Sequence, residues 1–194
     1  MKRFINKIAS GALLFGLVFV SMGCWKIYKE RNVSSEPIAM EVGAISQPEG
    51  GLAFASITGG KLDITNMYEY SLTTKKSETK LTSNYYIPVM HPVSGDVAYI
   101  VKSSLQPTIE DILKDASYTG LLTNKSELPS KILTAYDEKY SGSKYLFLDS
   151  TYKAKSISEK ILDLKLFFYL LFGGLVVLIL VNRKPAKGNE EPVQ

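Results

Sequence analysis

Residues 166–182 read LFFYLLFGGLVVLILVN, a run without a charge that is closed by Arg183 and Lys184. At 1.5 Å per residue it is about 26 Å long, close to the hydrocarbon thickness of a bilayer. A charge-free stretch of this length is unusual in a globular core, so it predicts a membrane-spanning helix. Leu164 can extend it, with Lys165 snorkelling toward water. Gly173 and Gly174 within the run allow another helix to approach closely.

Working outward, a second such run lies at the other end of the chain. Ile8 to Trp25 reads IASGALLFGLVFVSMGCW, again without a charge, with Gly11, Ala12 and Gly16 as its small residues. Packing of the two runs on each other is the simplest use of these glycines. The first run admits three readings. It is an uncleaved anchor. It is a lipoprotein-type signal cut after Gly23 so that Cys24 becomes the N-terminus, although Ser21 stands where that pattern has Leu. Or it is an ordinary cleaved signal, with Lys2, Arg3 and Lys7 as the basic n-region. The anchor reading predicts two spans, residues 8–25 and 166–182. Both termini, 1–7 and 183–194, are then cytoplasmic, and everything between is extracytoplasmic at the cell membrane. The basic residues at the N-terminus and the signal-like pattern set that orientation; Lys26, Lys29 and Arg31 weaken the local bias, but long loops translocate largely regardless of charge.

The charge follows the same division. The 194-residue chain carries a net +4, yet residues 26–165 hold 17 Lys/Arg and 17 Asp/Glu. The excess flanks the apolar runs, so the central region lacks the basic footprint of a nucleic-acid binder. One Cys excludes a disulfide framework within the chain and a Cys-cluster zinc site; one His excludes any site needing two.

Between the spans, residues 26–49 read as a linker with Pro37 and Pro48, and residues 50–155 as an α+β domain. LAFASIT (52–58), Gly59-Gly60 and KLDITN (61–66) predict a hairpin with a two-residue primed turn. The chain stays extended through Tyr68 and Tyr70, and TTKKSETK (73–80) reads as a polar loop. YYIPVM (85–90) and DVAYIVK (96–102) predict a second hairpin, with Pro88 pushing its strand toward an edge or bulge and the later strand apolar on both faces, as in a sheet centre. Ile109, Ile112, Leu113 and Ala116 predict a short amphipathic helix over 108–117. Ile132, Leu133, Tyr136 and Tyr140 predict another over 128–140, with Pro129 in its first turn. KYLFL (144–148) is a short strand. Ser156 and Glu159 form a capping box opening a helical lead-in, 156–165, that runs into the second span. The expected architecture is two transmembrane helices flanking a small β-rich domain with short helices, an OB-like barrel.

Few residues suggest chemistry. Thr58-Gly59-Gly60-Lys61 is not a phosphate loop, since Ala55 replaces its first glycine and Leu62 its Ser/Thr. His91 with Ser94 and Asp96 has the residue types of a triad, but all three fall in one short turn. Glu110, Asp111 and Asp115 share a short helix, where acids near the N-terminus are favoured by the dipole. Ten of the twelve tyrosines lie between Tyr68 and Tyr152, suited to sheet packing and to interfaces. No catalytic, cofactor-binding or metal-ligating residue is assigned.

TGGKLD (58–63), YYIPV (85–89) and the strand ending YIVK (99–102) resemble uncharacterised bacterial envelope proteins with two spans around an extracytoplasmic OB-like domain. The likeness covers about residues 50–125 and implies a fold and a location. A weaker likeness is to Surf1-type assembly factors, which also have two spans; this chain has YIVKSS (99–104) where that family has a V-N-R-G ending. The expected function is a non-enzymatic, membrane-anchored accessory or scaffold protein of the cell envelope. Its partners would be the lipid bilayer and a membrane or envelope protein, and no nucleic acid. The alternatives are a membrane-bound envelope hydrolase or transferase, with His91, Asp111 and Asp115 as its candidates, and a Surf1-like assembly factor.

Overall fold

The computed structural model describes residues 1–74 and 77–183, with side chains excluded over 72–82. The chain forms two compact units. One holds Met1–Arg31 and Ser156–Gln194, the other Asn32–Lys155.

The first unit is helical: α1 (Lys2–Lys29), α4 (Ile157–Asp163) and α5 (Lys165–Asn182). α1 and α5 are each long and apolar enough to cross a membrane. They pack on each other through two of their glycines. A Cβ on Gly16 would lie 2.7 Å from the Leu171 nitrogen, and one on Gly174 2.8 Å from the Ala9 carbonyl oxygen. Gly11 and Gly173 face open space instead, so two of these four glycines serve this contact. Phe19 stacks on Phe167 with ring centres 4.7 Å apart. The capping box forms as expected: Ser156 Oγ accepts the Glu159 N–H, while a Glu159 carboxylate oxygen accepts the Ser156 N–H at 2.8 Å.

The second unit holds β1 (Ile38–Glu41), β2 (Leu52–Thr58), β3 (Lys61–Leu62), β4 (Tyr68–Thr74), β5 (Ser77–Met90), β6 (Val97–Ser103), α2 (Ile109–Leu113), β7 (Ser117–Asn124), α3 (Ser130–Lys139) and β8 (Leu146–Asp149). The sheet order is β1-β2-β7-β8-β6-β5-β3, with β4 also paired to β5. β1–β2 and β6–β8 are parallel and the other pairs antiparallel. The domain is therefore α+β with a mixed sheet. That sheet is open, which corrects the expected OB-like barrel.

The correction begins at Gly59-Gly60. Both have positive φ (+89° and +87°), as a primed turn requires. Yet β2 and β3 do not pair with each other: β2 pairs with β7 and β3 with β5. Ala116 occupies the place of the missing ladder. It accepts the Gly59 N–H at 2.8 Å and donates its own N–H to the Gly60 carbonyl at 3.1 Å. Two further strands lie outside expectation. β1 falls in the stretch read as linker, and β7 in the stretch read as a connection between helices. The polar loop of 73–80 is largely ladder, with Thr74 opposite Ser77; Lys75 and Lys76 lie outside the described residues.

The β5–β6 hairpin forms as expected, with a register shift between Val89 and Met90. Pro88 donates nothing, and the Asp63 N–H reaches its carbonyl at 2.9 Å. A strand residue points its N–H and C=O the same way, so the missing donor faces the gap where Ile64–Asn66 leaves the ladder as a 3-10 turn. β6 lies between β5 and β8, and its Tyr99, Ile100 and Val101 are fully buried, as expected for a central strand.

Alternation along the strands builds two cores, one on each face. Ile87, Val89, Tyr99, Val101 and Leu148 join Ile57 and Leu122 on one. Tyr86, Ile100 and Phe147 meet Ile132 and Tyr136 of α3 on the other. Tyr136 anchors that helix: its hydroxyl donates to the Tyr86 carbonyl at 2.7 Å, and its ring meets Tyr68 edge-on.

Candidate functional site

His91 opens the β5–β6 turn. Its Nδ1 accepts the backbone N–H groups of Val93 and Ser94, each at 3.2 Å. Ser94 Oγ accepts the Asp96 N–H. The imidazole thus organises the turn, and His91, Ser94 and Asp96 do not form a relay. The three acids are also separated. α2 ends at Leu113, so Asp115 lies beyond it. Asp111 caps the helix, accepting the Thr108 backbone N–H and hydroxyl at 2.8 and 2.7 Å, and these bonds hold its carboxyl below the usual range. Asp115 pairs with Lys61 at 3.0 Å. Glu110 is exposed. Among the described residues no group of three or more His, Cys, Asp or Glu is placed to hold a metal ion.

What α2 does build is a surface. The amphipathic spacing of Ile109, Ile112 and Leu113 is present, but the face points outward. Leu105, Ile109 and Leu113 are each 78% exposed, and of the expected stripe only Ala116 is buried. The helix is a single short turn whose N-terminal end is closed by the Thr108–Asp111 capping box; Ile112 is half-buried, while Ile109 and Leu113 stay in water.

Beside this surface runs a groove of about 300 Å³. Leu62 and Ala116, both part of the core, form its floor. Tyr118, Ser103, Pro107 and Lys114 form its walls. Burial and the Asp111 charge push the Tyr118 phenol up. Tyr99 belongs to the same core cluster as the floor; it is fully buried, and its hydroxyl has no partner among the described residues. Burial raises its pKa.

A second polar cluster lies on the α3 side and has no counterpart in the sequence reading. Asp63 accepts hydrogen bonds from Thr65 (2.7 Å), Asn66 (2.5 Å) and the Tyr140 hydroxyl (3.1 Å), and Lys139 donates to the Asn66 carboxamide oxygen. Burial alone would raise the Asp63 pKa; these side-chain hydrogen bonds, with one from the Asn66 backbone, outweigh it and hold the carboxyl below its ordinary value of 3.8. Its members bond one another, so the cluster pins the Ile64–Asn66 turn to α3. Only the D-x-T-N spacing at 63–66, a local turn signal, could have marked it in sequence.

No protein-family model matches the chain, and no curated protein does.

Proposed function

We propose that the chain is a membrane-anchored accessory protein of a cell envelope whose domain, Asn32–Lys155, docks a partner protein through Leu105, Ile109 and Leu113. The carrying observation is that three large apolar side chains on one short segment are left in water. Isolated surface leucines are ordinary, but a contiguous apolar patch is a mark of an interaction site. The two apolar helices support membrane attachment. In this reading both termini are cytoplasmic and the domain is extracytoplasmic, on the strength of Lys2, Arg3 and Lys7 before the first span. The residues that would serve a hydrolase are engaged in turn, cap and ion-pair contacts, which favours binding over catalysis.

The test is a photo-crosslinking amino acid placed at Ile109 in the intact protein in cells, with Lys131 on α3, also exposed, as the reference position. A discrete adduct formed from 109 and not from 131, and abolished by Leu105→Asp with Leu113→Asp, is the expected result. Equal adduct patterns from both positions, or none from 109, would remove this surface from the proposal.

A further inference from the structure

The second apolar run is about 26 Å long, some 4 Å short of a typical hydrocarbon core. In the structure the helical path does not start there. α4 precedes α5 with a single turn at Leu164 between them, and the backbone stays bonded through it: the Leu164 N–H reaches the Ile161 carbonyl at 3.1 Å, and the Phe168 N–H reaches the Leu164 carbonyl at 3.0 Å. At its N-terminus the Ser156–Glu159 capping box answers backbone N–H groups that would otherwise need water. A segment whose backbone is satisfied in this way is ready for a medium poor in water.

Its surface is built to match. Ile157, Ile161 and Leu162 are all more than half exposed. Glu159 and Asp163 fall about half a turn away from Ile157 and Ile161, so the acids and the isoleucines occupy opposite sides. On α1, Met22, Trp25 and Tyr28 are also more than half exposed, and the Trp25 and Tyr28 rings stack at 6.0 Å. Trp and Tyr concentrate where headgroups meet hydrocarbon. Leu164 packs on Gly23, which keeps the α4–α5 junction against α1.

The charges between the helices complete the pattern. Lys160 Nζ lies 2.8 Å from a Glu30 carboxylate oxygen, and Lys26 Nζ lies 3.9 Å from the other. The Glu30 and Lys160 side chains are 6% and 12% exposed. An ion pair already withdrawn from water by protein contacts is the form in which charge is tolerated at low dielectric.

We infer that α4 is seated in the headgroup layer of a lipid bilayer, with Ile157 and Ile161 against lipid and the Glu30–Lys160 pair enclosed between α4 and α1. Seven residues rise about 10 Å, enough to cross the headgroup layer on one side of the bilayer. Glu159 and Asp163 face the water of that layer, and the Lys165 stem snorkels toward it. This inference rests on the membrane-anchored reading above.

The test uses the full chain with Cys24→Ser, reconstituted in vesicles of phosphatidylcholine and phosphatidylglycerol. Single nitroxide labels replace Ile161, Leu175 in α5, or Lys153 in the domain. Collisions with oxygen, which partitions into lipid, and with a water-soluble nickel chelate are read by spectral saturation. The expected result is loss of chelate collisions at 161 relative to 153, with oxygen collisions at 161 between those at 153 and 175. A second readout leaves α4 unaltered: Trp25, the only tryptophan, should be quenched more by lipids brominated near the headgroup than by lipids brominated near the chain end. If 161 collides with the chelate as 153 does while 175 is lipid-like, the inference is overturned and the anchored reading stands. If 175 also collides freely with the chelate, the anchored reading falls and takes the inference with it.

Discussion

Tyr99 and Tyr136 are both fully buried, yet removing the same atom from each should move stability in opposite directions. The Tyr136 hydroxyl donates to the Tyr86 carbonyl at 2.7 Å and lies 3.1 Å from the Asn66 carbonyl. Tyr136→Phe deletes that donor and leaves a buried carbonyl short of a partner, at a cost of about 1.5 kcal/mol. The Tyr99 hydroxyl has no partner among the described residues, so its desolvation is uncompensated. Tyr99→Phe keeps the ring packed among Val89, Val101 and Leu148 and removes that penalty, a gain of about 1 kcal/mol. For a domain of this size a kcal/mol shifts Tm by about 4 °C, so the two variants should part by about 10 °C, one on each side of the parent. The assay is thermal unfolding of the detergent-solubilised protein followed by near-ultraviolet tyrosine dichroism. A Tyr99→Phe variant as destabilised as Tyr136→Phe would refute the reasoning, because it would mean that the Tyr99 hydroxyl is engaged.

Gly120→Ala should be severely destabilising, about 3 kcal/mol or more, because the new Cβ would lie 2.3 Å from the Asp149 carbonyl oxygen and 2.8 Å from the Ser150 Cα; urea unfolding measures it, and a loss under 1 kcal/mol would contradict the close β7–β8 approach. The depressed pKa of Asp63 makes it an acid-sensitive contributor: its stabilisation is full above the unfolded value of 3.8 and is lost as pH falls through the lower folded value. Asp63→Asn should therefore lower the urea midpoint at pH 7 and flatten its decline between pH 5 and 3; an equally steep decline would place the acid response elsewhere. In the helical unit, Gly174→Leu should reduce disulfide formation between Phe19→Cys and Phe167→Cys in a Cys24→Ser background, and Gly173→Leu should not, since only Gly174 abuts α1. Equal yields from both variants would contradict that contact.

The local elements were legible wherever the partner was near in sequence or the signal was periodic. The apolar helices, the Ser156 cap, α3, and the β5–β6 hairpin with its bulge beside Pro88 all read directly from spacing and turn chemistry. What could not be read was pairing at a distance. LAFASIT and KLDITN look like two arms of a hairpin because Gly59-Gly60 has the right conformation, but conformation at a turn does not choose the ladder. β2 finds Ser117–Asn124, more than fifty residues on. β7 itself was hidden because Gly120 weakens its strand signal, and that glycine is there for the backbone of β8. At the candidate surface the periodicity of Ile109, Ile112 and Leu113 was visible, but not its direction. A helical stripe says that a face is apolar, not that the chain's own core will cover it.

β8 is the last strand of the domain in sequence and one of the most interior in space. It lies between β7 and β6, pairing antiparallel with one and parallel with the other. During synthesis, therefore, everything up to Lys144 emerges as two sheet fragments, β1-β2-β7 and β6-β5 with β3 and β4, with a strand-wide gap between them. Neither fragment can close its core until Leu146–Asp149 is delivered, and only a few residues later the chain enters α4 and α5. Completion of the domain and emergence of its second long apolar helix are thus nearly the same event in time. A chain cut short before β8 would lose both together, and would present two open sheet edges to whatever machinery was handling it.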